Sequence, residues 1–194
     1  MGDWIVKWLA FLIVLAPALS LPAAGDEKPK DEVKIGKPMP DFALPDQDGK
    51  QWKLSERKGK KAVVICLSST MCECGQAAVV DLQKVHEKYQ KRGLEIVHVN
   101  TEPERDKWDP GFLKKFATEK EISYPLLLDK EGKVLTMLPL LGMPTLFLLD
   151  AHGVLREILK GHPDDFVQRV SARVEPLLPK AAENESEEAR SHGS

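Results

Sequence analysis

Residues Ala62 to Leu67 (AVVICL) form an unbroken, largely β-branched apolar run, and the chain after it switches to helical spacing. A strand with no polar face has to be covered on both sides, so this segment demands a layered fold rather than a lone sheet. From Gly75 to Arg92, Ala78, Leu82, Val85 and Tyr89 fall on one helical stripe, Lys84, Glu87, Lys88 and Lys91 lie away from it, and Gly93 supplies a stop signal. Leu94 to Asn100 (LEIVHVN) reads as the next strand. Asp109-Pro110 then offers an N-cap and a first-turn proline for a helix through Phe112, Leu113 and Phe116, and Tyr124 to Leu128 (YPLLL) reads as a strand.

Thr145 to Asp150 and Val154 to Lys160 flank the tight turn Ala151-His152-Gly153, which predicts an antiparallel pair. Pro163 to Leu178 closes the domain with a helix whose stripe is Phe166, Val170, Val174 and Leu177. Upstream, Phe42-Ala43-Leu44 and Gln51 to Leu54 flank Pro45-Asp46-Gln47-Asp48-Gly49, a hairpin by its turn chemistry. A βαβ unit followed by a hairpin and a helix predicts an α/β fold: a mixed central sheet flanked by helices, with an N-terminal β-hairpin extension.

With 194 residues and 42% apolar side chains, the chain supports one domain with appendages. Lys+Arg 28 against Asp+Glu 30 leaves a net charge of -2, which argues against a nucleic-acid partner. Residues 1–24 have an apolar run from Trp8 to Ala16, then Pro17 and small residues, as in an export signal with cleavage after Ser20 or Ala24. The run is about half of the roughly 20 apolar residues a bilayer crossing needs, but counting from Trp4 to Leu21 stretches it to a membrane anchor. A plain buried helix is the remaining alternative. Residues 25–34 read as a charged linker, 35–178 as the domain, and 179–194, without large apolar residues after Pro179, as a disordered tail.

All three cysteines fall between positions 66 and 74, where the buried strand ends and the amphipathic helix begins. A cysteine just ahead of a helix meets unpaired backbone N–H groups and the positive end of the helix dipole, both of which favour thiolate, the reactive form. Cys72 is therefore the candidate nucleophile, and Cys74 its neighbour. Small apolar cysteines that merely fill space are the alternative, which suits Cys66 best because its strand position predicts burial.

The segment Gly36-Lys37-Pro38-Met39-Pro40-Asp41-Phe42 before the hairpin, the strand leading to Ser69-Thr70-Met71-Cys72-Glu73, and Gly142-Met143-Pro144-Thr145 through Asp150 together resemble the thioredoxin-like proteins of the TlpA/ResA type, within the AhpC/TSA–redoxin superfamily. The resemblance spans Ile35 to Leu178. It implies a thioredoxin-like fold and an exported thiol-disulfide oxidoreductase that exchanges disulfides with protein thiols and a redox-partner protein. It implies extracytoplasmic placement, membrane contact only if the N-terminal segment is retained, and no organic or metal cofactor. It also implies that Pro144 is a cis-proline packed against the active cysteine, with the backbone of Met143 free to pair with a substrate strand.

The chain departs from the family at the pair itself. Without gaps, Cys72 takes the first cysteine position, Glu73 and Cys74 the middle ones, and Gly75 the place of the second cysteine. Helix residues two apart do not face each other, so a Cys72–Cys74 bond calls for Cys72 outside the helix and a distorted first turn. Such a bond would be strained and more oxidising. Met71 replaces the aromatic residue that usually precedes the first cysteine, and Glu73 opposes ionisation of its neighbour. Cys66 falls where thioredoxins carry a buried acid, which makes it a possible internal resolving thiol.

Three other readings compete. A peroxiredoxin-like peroxidase shares the fold, and Ser69 suits its hydroxyl position, but Ile65 stands where its proline is expected and Pro144 where its arginine is. A soft-metal site could use Cys72 and Cys74 with a histidine from among His86, His98, His152 and His162, although sulfurs two apart cannot complete a tetrahedral set alone. A non-catalytic binding module would keep the groove without turnover.

Overall fold

The computed structural model describes residues 33–101 and 110–179. The expected export segment, residues 25–32 of the expected linker, the expected cap Asp109 and the tail after Pro179 lie outside the described residues. Among the described residues no helix is long and apolar enough to cross a membrane.

Strands β1 (Ala43–Pro45) and β2 (Gln51–Lys53) pair antiparallel, as the turn chemistry predicts. Asp46 Oδ1 accepts the backbone N–H groups of Asp48 and Lys50, both at 2.9 Å, and Gly49 takes the left-handed conformation at φ +78 that closes the turn. The central sheet follows: β3 (Ala62–Ser68), β4 (Leu94–Asn100), β5 (Leu126–Leu128), β6 (Thr145–Leu149) and β7 (Leu155–Lys160), ordered β5-β4-β3-β6-β7. β4 runs parallel to β3 and β5, whereas β6 runs antiparallel to β3 and β7, so the sheet is mixed.

Helices α1 (Glu73–Tyr89), α2 (Pro110–Glu119) and α4 (Phe166–Val174) cover one face, and α3 (Lys133–Met137) with the hairpin covers the other. The alternation of β3 sorts its side chains: Ala62, Val64 and Cys66 pack with α1, while Val63, Ile65 and Leu67 pack with Trp52, Leu54, Val134 and Leu138. Ala78, Leu82, Val85 and Tyr89 are all buried along the expected stripe of α1, each large one contributing about 1.5–3 kcal/mol by its transfer from water. Tyr124 donates its hydroxyl to Val79 O at 2.7 Å, tying the approach to β5 onto α1. On the other face the buried Glu95 of β4 accepts from Trp52 Nε1 at 2.6 Å and Arg57 Nε at 3.0 Å, and pairs with Lys61 at 3.1 Å. Burial pushes this carboxyl upward, but these donors and cations outweigh it and hold it below its ordinary value.

Several boundaries differ from the sequence expectation. α1 begins at Glu73 rather than Gly75 and passes into a 3-10 turn at Gln90–Arg92, because Cys72 caps it earlier than the apolar stripe indicates. β5 is shorter than Tyr124–Leu128: Tyr124 and Pro125 precede the ladder. The last helix is regular only over Phe166–Val174, with a 3-10 turn at Glu175–Leu177 where Pro176 lacks an N–H. α3 is short and carries too little periodicity to be read from sequence. In α2, Leu113 and Phe116 face the core whereas Phe112 is 45% exposed.

Candidate active site

β3 delivers the chain at Ser68 into a short loop that ends at Cys72 and starts α1. Three elements pin this loop. Asn100, at the end of β4, places its Oδ1 3.3 Å from Thr70 N and 3.4 Å from Thr70 Oγ1. From the first turn of α1, Gln76 Nε2 donates to Thr70 O at 2.9 Å. From the far side, Met143 Sδ accepts the Ser69 N–H at 3.2 Å. The Ser69 hydroxyl accepts the Met71 N–H at 3.0 Å, tightening the loop from within.

Cys72 is the N-cap of α1, with extended backbone (φ -107, ψ 148), and its Sγ accepts the Gly75 N–H at 3.2 Å. That is the arrangement an N-cap serine or aspartate makes, with sulfur in place of oxygen. Cys72 Sγ lies 3.0 Å from Cys74 Sγ and 3.7 Å from Ser69 O. Cys72 stands outside the helix, as a Cys72–Cys74 bond calls for, and with both sulfurs unbonded α1 is regular from Glu73. Cys72 is half-buried and Cys74 exposed, and both are free thiols. The Cys74 thiol is held above its ordinary value, first by its hydrogen bond to Cys72, then by slight desolvation and by charge on Cys72.

Gly75 is the tightest point of the site. A Cβ there would lie 1.8 Å from Ser69 O and 3.1 Å from Cys72 Sγ, so only glycine fits where the family places its second cysteine. Periodicity does not announce this residue, and Asn100 and Gln76 likewise escaped the sequence reading. A glycine inside the first helical turn, next to two cysteines, was the available signal.

The Met143–Pro144 bond is cis, as the resemblance implied, and Pro144 is buried. Met143 is half-buried against the cysteine loop through its thioether contact with Ser69. Met71 is 70% exposed beside Cys72, Glu73 projects into solvent, and Ser69 is buried.

Cys66 sits one strand-turn below, fully buried, with its sulfur 3.8 Å from Ser68 Oγ, and burial pushes its thiol up to about 12. Its register partner on β4 is His98, whose Nε2 lies 2.9 Å from Ser68 O and 3.1 Å from Ser68 Oγ. Burial drives His98 down to about 3. The core beneath the start of α1 therefore holds uncharged polar groups only near these residues. Among the described residues, no three His, Cys, Asp or Glu side chains converge as a metal-ligand set. His162 is instead paired with Asp81 at 2.9 Å, and His86 packs edge-on against Tyr124.

A mixed sheet with a cysteine at the start of a helix and a cis-proline loop beside it defines a thioredoxin-like fold. The AhpC/TSA family profile matches residues 35–158, and the chain belongs to that family. It is 30% identical over 133 residues to the thiol-disulfide oxidoreductase ResA of Geobacillus thermodenitrificans, covering 68% of this chain and 72% of the relative. ResA of Bacillus anthracis is 28% identical over 132 residues, covering 68% and 73%. Among solved structures, a Chlorobium tepidum protein described as the thiol:disulfide interchange protein DsbE superposes with TM-score 0.67 at 24% identity, over 76% of this chain and 100% of that one. The peroxidoxin BcpB of Mycobacterium tuberculosis does so with TM-score 0.62 at 22% identity, over 76% and 100%. At those identities the two structures speak for the fold alone.

Proposed function

We propose that the protein is a thiol-disulfide oxidoreductase that exchanges disulfides with protein partners through Cys72 and Cys74. The observation that carries this reading is the 3.0 Å approach of the two sulfurs at the start of α1, with the Gly75 N–H on Cys72. Cys72 attacks a partner disulfide as thiolate, releases one partner thiolate and holds the other partner sulfur in a mixed disulfide. Cys74 gives its proton to solvent, attacks Cys72 Sγ and expels the second partner thiolate, which leaves the partner reduced and the Cys72–Cys74 disulfide formed. The loop at Met143–Pro144 meets the cysteine loop at Ser69, and in this proposal the backbone of Met143 pairs with the partner strand. The exchange needs no cofactor. The export-like segment 1–24 and the ResA relatives support action outside the cytoplasm, where disulfides persist.

The peroxidase reading requires a cation near Cys72. Each arginine among the described residues is engaged with a carboxylate elsewhere: Arg57 with Glu95, Arg92 with Glu175, Arg156 with Asp150, Arg169 with Asp165 and Arg173 with Glu157. The paired sulfurs and the ResA relatives favour disulfide exchange.

Cys72→Ser is expected to abolish insulin reduction and Cys74→Ser to accumulate a mixed disulfide visible by mass spectrometry. Unchanged turnover in the Cys72 variant overturns the assignment.

A further inference from the structure

We propose that the Cys72–Cys74 pair is poised as a disulfide donor, oxidising reduced protein dithiols in preference to reducing partner disulfides. This rests on the exchange function proposed above and assigns its direction. In the dithiol state Cys72 Sγ receives the Gly75 N–H at 3.2 Å and faces the Cys74 sulfur at 3.0 Å. Both interactions are strongest when Cys72 carries charge, since hydrogen bonds to an ionised acceptor are about twice as strong as neutral ones. Formation of the disulfide removes the Cys74 proton and neutralises Cys72, so the second interaction vanishes and the first weakens. A site that stabilises its reduced form is by that fact an oxidant.

Two further features lean the same way. Gly75 lies so close to Ser69 O that the first turn of α1 has little room to relax around a closed bond between residues two apart. Beneath the turn, burial keeps the Cys66 thiol neutral near pH 7, so no buried anion there opposes a thiolate at Cys72. Glu73 does oppose it, but from solvent, where its charge is screened.

A partner thiolate attacks Cys72 Sγ, the Cys72–Cys74 bond breaks, and Cys74 leaves as thiolate and takes a proton from solvent. The partner's second thiolate then attacks its own sulfur in the mixed disulfide and expels Cys72, whose thiolate returns to the Gly75 N–H. The partner loses two electrons and the pair gains them. A low-molecular-weight disulfide such as oxidised glutathione, or a protein disulfide of higher potential, restores the Cys72–Cys74 bond and carries the electrons away.

The test equilibrates the purified full chain with glutathione redox buffers, quenches it with acid and counts free thiols by maleimide mass tagging, with a thioredoxin standard measured alongside. The expected equilibrium constant for disulfide formation is at least about a hundredfold smaller than that of the standard. The oxidised chain is also expected to introduce disulfides stoichiometrically into reduced, unfolded ribonuclease A. A constant equal to or larger than the standard's overturns the direction while leaving the exchange function standing. If neither glutathione nor ribonuclease A alters the thiol count of the parent, and Cys72→Ser and Cys74→Ser behave identically to it, the exchange function itself falls and takes the direction with it.

Discussion

Gly75 abuts the carbonyl of Ser69 so closely that a Cβ at Gly75 would stand 1.8 Å from that oxygen. No side chain fits at Gly75, which holds the place of the second cysteine in the usual spacing, and Cys74 Sγ is the sulfur that lies 3.0 Å from Cys72 Sγ. Gly75→Ala removes backbone entropy from the unfolded chain and in an ordinary helix would stabilise by about 0.5–1 kcal/mol. Here the overlap forces the backbone apart, and a net destabilisation on the order of 2 kcal/mol is expected by urea unfolding. Gly75→Cys should fail for the same reason to restore a working Cys-x-x-Cys pair. A Gly75→Ala protein as stable as the parent would show that the approach is not a constraint.

Met143 ties the cis-proline loop to the cysteine loop by accepting the Ser69 N–H on its sulfur at 3.2 Å. Met143→Leu keeps the volume and deletes the acceptor. A net hydrogen-bond contribution near 1 kcal/mol corresponds to a loss of up to about tenfold in the rate of exchange, with folding stability little changed. Stopped-flow mixing with a disulfide-containing peptide reads this directly, and equal rates for parent and variant would remove Met143 from the positioning of Cys72.

The architecture was legible because it is carried by period. The apolar run of β3, the stripe of α1 and the turn Asp46–Gly49 each specify one geometry, and the structure places them there. The site was legible only in its sulfurs. Asn100, Gln76 and the steric role of Gly75 act through contacts across the sheet end and the loop, which no spacing along the chain encodes. Cys72 lies outside the helix as its N-cap, so the i, i+2 rule for helical neighbours does not keep its sulfur from Cys74.

The buried thiol Cys66 makes a prediction at alkaline pH. Its folded value is raised to about 12 from an unfolded value near 9. Between those values the unfolded chain releases a proton that the folded one keeps, so Cys66 contributes a loss of stability as pH rises through that window. Tyr124, also raised by burial, adds the same sign. Cys66→Ala should flatten the alkaline limb of the stability curve while leaving disulfide exchange intact. In the native parent at neutral pH, a maleimide should modify Cys72 and Cys74 and reach Cys66 only on unfolding. Rapid labelling of Cys66 in the folded protein would contradict its place in the core.

His98 gives the mirror-image prediction on the acid side. Its imidazole is fully buried, lies against Ser68, and is driven by burial to about 3 from an unfolded value near 6.5. Between those values the unfolded chain binds a proton that the folded one refuses, so stability falls as pH drops through that window. From pH 7 to pH 5 the loss attributable to His98 is about 2 kcal/mol, before depressed carboxyls such as Glu95 begin to titrate. His86, lowered chiefly by burial, acts in the same direction with less of its ring enclosed. His98→Gln carries an amide donor that reaches the Nε2 position facing Ser68 O but cannot ionise, so its stability should change far less between those two pH values, whatever the substitution costs at pH 7. Chemical unfolding of both proteins at each pH decides the matter: parallel losses in parent and variant would mean that His98 already binds its proton in the folded state.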